Sequence, residues 1–96
     1  MKDSLVLSKI AKNKNMAVPL YLMMAYAYYI QDDPFTSDGC FDTVAKIILD
    51  NWDNIEHRHK TFLSKSSLEA GTHLSGYPKI VEGAVDSFKK LGPLGI

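Results

Sequence analysis

The chain has 96 residues, 46% of them hydrophobic and 23% charged, which is enough for one globular core and too little for a second independent domain. Eleven basic and eleven acidic residues cancel, so no global field draws the protein to nucleic acid or to an anionic membrane. Cys40 is the single cysteine, which excludes an intramolecular disulfide, and Met1-Lys2-Asp3-Ser4 opens no apolar leader, so a cytoplasmic protein with no membrane association is expected.

In chain order, Leu5, Val6, Ile10 and Ala11 predict a short amphipathic helix, capped by Asp3 or Ser4 and fading in the polar run Lys12-Asn13-Lys14-Asn15. From Met16 to Ile30 the residues are apolar or aromatic on every side, and Pro19 falls where a first turn tolerates it. A second helix here should be central and buried. Tyr21, Met23, Met24 and Tyr26 circle it, and a domain this small is expected to leave one apolar side open to a protein partner or to a second copy of the chain. Gln31-Asp32-Asp33-Pro34 ends the helix, because Pro34 disfavours a helical Asp33. Ser37 is a good N-cap for a third helix, with Asp38 in its first turn. Phe41, Val44, Ile48, Trp52 and Ile55 recur at steps of three and four, which extends that helix to about His57 with a bend near Asn51. Ser66-Ser67-Leu68-Glu69 spells a capping box for a turn or two before Gly71. Pro78 stands at the start of a last helix whose apolar side, Ile80, Val81, Ala84, Val85 and Phe88, runs to Leu91 before Gly92 and Pro93. Strand-like alternation is absent. The expected fold is all-α: one domain over 1–96, a compact bundle of about four helices around a central hairpin of the second and third.

The chemistry concentrates at the bend of that hairpin. Positions three and four apart share a helix face, so Asp38, Phe41 and Asp42 point together from the start of the third helix. The short connection brings Tyr28 or Tyr29, at the end of the second helix, towards the same corner. Aromatic faces attract a cation, and carboxylates accept hydrogen bonds from an amide NH2 or from ribose hydroxyls. Oxidised nicotinamide riboside carries all of these groups. The same residues also suit a plain helical hairpin, in which the three rings pack the core and the aspartates are merely solvated.

The spelling Tyr28-Tyr29, Asp32-x-Pro34, Ser37-Asp38 and Phe41-Asp42, within about Leu20 to Leu49, resembles the small N-terminal helical domain of NAD-dependent DNA ligases. That domain captures the nicotinamide mononucleotide (NMN) half of NAD. The resemblance implies NMN-contacting roles for Tyr28, Tyr29, Asp38, Phe41 and Asp42, and NAD or NMN as the ligand. Two departures stand out. Phe41 replaces the family's usual tyrosine and loses a hydroxyl, and Gly39 stands where the family favours a helix former. The ligase's lysine-x-aspartate-glycine motif is absent, since Lys79-Ile80-Val81-Glu82-Gly83 has the wrong spacing, and the chain has no length for the other ligase domains. The expectation is a binding module without ligase activity of its own, and the alternative is a small protein-interaction or regulatory protein that keeps the hairpin without the nucleotide.

The remaining signals are plainer. His57, His59 and the distant His73 do not converge as three or four zinc ligands must, so no metal is expected and His57-Arg58-His59-Lys60 reads as the polar end of the third helix. No aromatic interleaving accompanies that basic cluster, which argues against direct nucleic-acid binding. Cys40 reads as a small residue near the core and Trp52 as part of the third helix's buried stripe.

Overall fold

Helix α2, Ala17–Tyr29, organises the molecule because nine of its 13 residues are buried, including Tyr21, Leu22, Met23 and Met24. A helix apolar on every side must be covered on every side. In the computed structural model, which describes residues 2–70 and 76–90, that cover comes from α3, Asp38–Asp50, and α5, Ile80–Lys89, both packed on α2. Helix α1, Asp3–Lys12, buries Val6 and Ile10, and α4, Lys65–Ala70, packs on α3 through Leu68. Among the described residues every regular element is helical, so the all-α bundle is the fold. Among the described residues no helix is long and apolar enough to cross a membrane.

Several boundaries differ from the sequence reading, each for a visible reason. Neither Asp3 nor Ser4 caps α1: Lys2 holds the cap position, and the Asp3 carboxylate turns away to another element. The polar run after α1 is a 3-10 turn, Lys14–Met16, nucleated by Asn13 Oδ1 accepting from the Asn15 amide at 3.1 Å. Helix α3 stops at Asp50 instead of continuing to His57. The Trp52 amide falls back to the Leu49 carbonyl at 3.3 Å, and the Trp52 carbonyl that a continuing helix would offer to the Glu56 amide accepts from Lys60 Nζ, while that amide donates to Asn15 Oδ1 at 2.9 Å. The His57–Lys60 stretch therefore lies at the start of a separate 3-10 turn, Arg58–Phe62, and Trp52 is only half-buried beneath the Lys60 ammonium, 4.5 Å from its ring centre. In α4 the cap is Ser64, whose hydroxyl accepts from the Ser67 amide at 3.2 Å. Helix α5 begins at Ile80, two residues after Pro78. The expectations for Gly71, His73 and residues 91–93 lie outside the described residues.

The expected apolar side of α2 is not exposed either. Tyr21, Met23 and Met24 are buried and Tyr26 half-buried, because α3 and α5 both pack on α2, with Phe41 over Tyr21 and Glu82 at Tyr26. Tyr26, Gln31 and Asp33 meet Glu82, Asp86 and Lys89 in the same order, so α2 and α5 run in the same direction along a polar seam. The exposed large hydrophobics sit elsewhere, with Tyr28, Tyr29 and Ile30 clustered at the end of α2.

Candidate functional site

The corner is built by a tightly specified turn between α2 and α3. Ile30 and Gln31 amides both return to the Tyr26 carbonyl, and the Asp33 amide reaches back to Ala27 at 2.9 Å across Asp32. Asp32 takes φ 50°, the left-handed conformation that closes helix C-termini and that aspartate tolerates better than most residues. Past Pro34 the chain dives inward: Phe35 is buried against Phe88, with ring centres 5.0 Å apart, and Lys89 bonds Asp33 at 2.9 Å and Gln31 at 2.7 Å. Both sides of the bend are thus tied to α5. The chain emerges at Ser37, whose hydroxyl accepts from the Cys40 amide at 3.1 Å and starts α3.

At this bend Tyr28, Tyr29, Asp38, Phe41 and Asp42 line one cavity of about 190 Å³. All five residues singled out in the sequence are brought together, and Tyr28 and Tyr29 both take part. They are not core side chains: Tyr28 is 46% and Tyr29 38% exposed, both aspartates are exposed, and Phe41 is half-buried. The plain-hairpin arrangement, with all three rings packed inside, is not the one the chain adopts.

The rings have an order of their own. Tyr21 and Tyr28 are seven residues apart on α2, two turns or about 10.5 Å along the axis. Phe41 enters between them, its ring 4.6 Å from Tyr21 at 15° and 6.4 Å from Tyr28 at 14°. The three planes are nearly parallel. Tyr21 is wholly buried and fixes the inner face of Phe41, whereas the outer face looks across a wider gap towards the exposed Tyr28. Tyr29 braces Tyr28 edge-on, with centroids 4.9 Å apart at 80°. A flat ring inserted between two others needs about 7 Å between their planes, twice a carbon contact distance. The centroids on the Tyr28 side are 6.4 Å apart, so the planes are no farther apart than that, and an inserted ring requires the exposed Tyr28 to shift outward.

Asp38 and Asp42 stand beside this slot at the start of α3, where the helix dipole favours negative charge. A carboxylate pair flanking parallel rings can hold a planar cation bearing hydrogen-bond donors. The volume falls below the roughly 300–1,000 Å³ that encloses a drug-sized ligand, so the cavity suits one ring and its sugar better than a whole dinucleotide.

Two contributors escaped the sequence reading. Tyr21 backs the slot, and the seven-residue spacing to Tyr28 was its signal. Asp3 has no local signal at all: it accepts from the Ser37 amide at 2.8 Å and from the Ser37 hydroxyl at 2.5 Å across 34 residues of chain. Those bonds hold its carboxyl below the usual carboxylate range. Cys40, one turn into α3, is buried, and desolvation pushes its thiol up to about 11, so it is an inert packing residue.

A larger and more open groove of about 470 Å³ lies at the far end of α3, lined by Trp52, Ile55, His57, Lys60 and Leu63 among others. Its one ammonium is spent on the Trp52 ring and carbonyl. The His57 imidazole is held below its usual pKa by desolvation and by the neighbouring His59 and Arg58, and its Nδ1 accepts from the His59 amide at 3.1 Å. Among the described residues, no group of three or more His, Cys, Asp or Glu side chains could hold a metal ion. Compared with known proteins, the chain matches no family model, no curated protein and no solved structure.

Proposed function

We propose that the α2–α3 corner is a recognition site for a nicotinamide nucleotide, NMN or the NMN half of NAD, and that the protein is a non-catalytic binding module resembling the first domain of NAD-dependent DNA ligases. The observation that carries this reading is the convergence of Tyr28, Tyr29, Asp38, Phe41 and Asp42 on one solvent-open cavity with two nearly parallel rings whose centroids are 6.4 Å apart. In this reading the nicotinamide ring enters between Phe41 and Tyr28. Its positive charge meets two aromatic faces, each attracting a cation by about 0.5–2 kcal/mol depending on desolvation. Asp38 and Asp42 accept from the carboxamide NH2 and the ribose hydroxyls, and Tyr29 holds Tyr28 upright. The ligand is bound and oriented, with no group assigned to its chemical conversion.

A second reading has its own support in the exposed apolar group Tyr28, Tyr29 and Ile30, the last 58% exposed, which would anchor another protein chain. Titration of the isotope-labelled protein with NMN and NAD separates the two. Amide shifts centred on Tyr28, Asp38 and Asp42, saturating with ligand, support nucleotide recognition. Unchanged spectra at millimolar ligand reject it and leave the interaction surface.

A further inference from the structure

Asp3 is far from the cavity in sequence, yet both its carboxylate oxygens are committed to the one residue that starts α3. Oδ1 accepts from the Ser37 amide and Oδ2 from the Ser37 hydroxyl. A serine hydroxyl has a single proton. Giving that proton to Asp3 turns the oxygen's lone pairs towards the Cys40 amide, which donates to it at 3.1 Å. The result is a relay, Asp3 to Ser37 to Cys40, in which a full negative charge polarises the hydroxyl and strengthens it as a cap. The adjacent Lys2 amide donates to the Phe35 carbonyl at 2.7 Å, so the start of α1 grips the α2–α3 connection at two points.

The first turn of α3 carries Asp38, Phe41 and Asp42, and its rotation about the helix axis decides where all three point. Tyr21 backs the Phe41 ring and the buried Cys40, Val44 and Ile48 hold the body of α3, but Asp38 and Gly39 at its start are exposed and are placed by the Ser37 cap. We infer that Asp3 is a positioning residue for the candidate site: by orienting the Ser37 cap, it sets the first turn of α3 and so the direction of its carboxylates, and together with the Tyr21 stack it holds the Phe41 ring against Tyr28. The inference rests on the nucleotide reading only for its functional consequence, since the placement of the first turn is a property of the unliganded protein.

The test compares the wild-type full chain with Asp3→Ala, Asp3→Asn and a remote destabilising variant, Leu68→Ala in α4, each studied at the same distance below its own melting temperature. Without ligand, Asp3→Ala should accelerate hydrogen exchange at the Cys40 amide and move the Phe41 ring-proton resonances, which report the Tyr21 and Tyr28 ring currents. Asn keeps an oxygen for the Ser37 amide but no second acceptor for the hydroxyl, so Asp3→Asn should fall between Ala and wild type. Leu68→Ala should change neither signal. With ligand, Asp3→Ala should raise the NMN dissociation constant about fivefold to tenfold, the scale of one lost helix cap. Unchanged Cys40 exchange and Phe41 resonances in Asp3→Ala overturn the inference, as does an equal response in Leu68→Ala. Wild-type protein that ignores NMN overturns the nucleotide reading instead, while the ligand-free measurements still decide the role of Asp3.

Discussion

Replacing Phe41 by leucine isolates the contribution of a flat face in the cavity. Leucine keeps most of the apolar bulk over Tyr21 and removes the π-system. The Tyr21–Phe41 pair, 4.6 Å apart and 15° from parallel, is the close stack that would be lost; the Tyr28 pair at 6.4 Å is looser. Aromatic pairs add about 0.5–1.5 kcal/mol beyond their buried area. Because Phe41 is only half-buried, little cavity cost follows, so Phe41→Leu should lower unfolding stability by about 1 kcal/mol. Phe41→Ala would also strip the side chain from the core edge, at about half the 3–5 kcal/mol of a fully buried ring, or ~2 kcal/mol.

Ligand binding should respond more steeply than stability. Stacking a base on an aromatic side chain is worth about 1–3 kcal/mol, so Phe41→Leu should weaken NMN by about fivefold to a hundredfold while most molecules remain folded. Phe41→Tyr should act in the opposite direction, keeping the face and restoring a hydroxyl that can contribute about 0.5–1.5 kcal/mol. Urea denaturation gives the stabilities and calorimetric titration the dissociation constants. A Phe41→Leu protein that binds NMN within twofold of wild type would refute the ring-slot account, whatever its stability.

Three further outcomes test other parts of the argument. Reduced NMN has a neutral ring, so it should bind more weakly than NMN by about 0.5–2 kcal/mol per engaged face, and equal affinities in parallel titrations would remove the cation from the account. The Asp3 carboxyl is held below its ordinary value of 3.8, chiefly by the Ser37 hydroxyl; the folded state therefore takes up the proton less readily than the unfolded chain, and the stabilisation is complete above that value and lost as pH falls through the lower folded one. Denaturation at neutral pH and at progressively lower pH should thus find the cost of Asp3→Ala shrinking in acid. Gly83 lies inside α5, and a methyl there meets nothing within 4 Å, so Gly83→Ala should stabilise the protein by about 0.8–1.0 kcal/mol, checked by the shift in urea midpoint.

What could be read in the residues and what could not divides along the range of the interactions. The hairpin was legible because its determinants are local: an all-round apolar run demands burial, Pro34 forbids continuation, and Ser37 begins a new helix within a few positions of the last. The five cavity residues followed from the same short segment, since a bend that short leaves the two helix ends nowhere to go but beside each other. The end of α3 was misread for the opposite reason. Trp52 and Ile55 continue the three-four spacing, and Ile55 is indeed buried, but the chain reaches that position through a turn. The turn is stabilised by Lys60 on the Trp52 carbonyl and by Asn15 Oδ1 accepting from the Glu56 amide, 41 residues away. Periodicity records which side chains are buried, not which backbone carries them there.

Asp3 marks the same boundary more sharply. Beside an apolar repeat it looks like a cap for the helix that follows, and aspartate is among the best residues for that task. The fold leaves that task undone and uses the carboxylate to secure the cap of a different helix, where two donors from one residue outcompete the single amide that α1 would offer. A short chain with a modest core has few ways to hold a surface corner in place. Here the connection is held from two sides, by Phe35 and Asp33 against α5 and by Ser37 against α1, so the slot between Phe41 and Tyr28 is bounded by a tethered wall on α3 and an exposed ring on α2. Under the proposed reading, that asymmetry offers the ligand one face already oriented and one open to solvent.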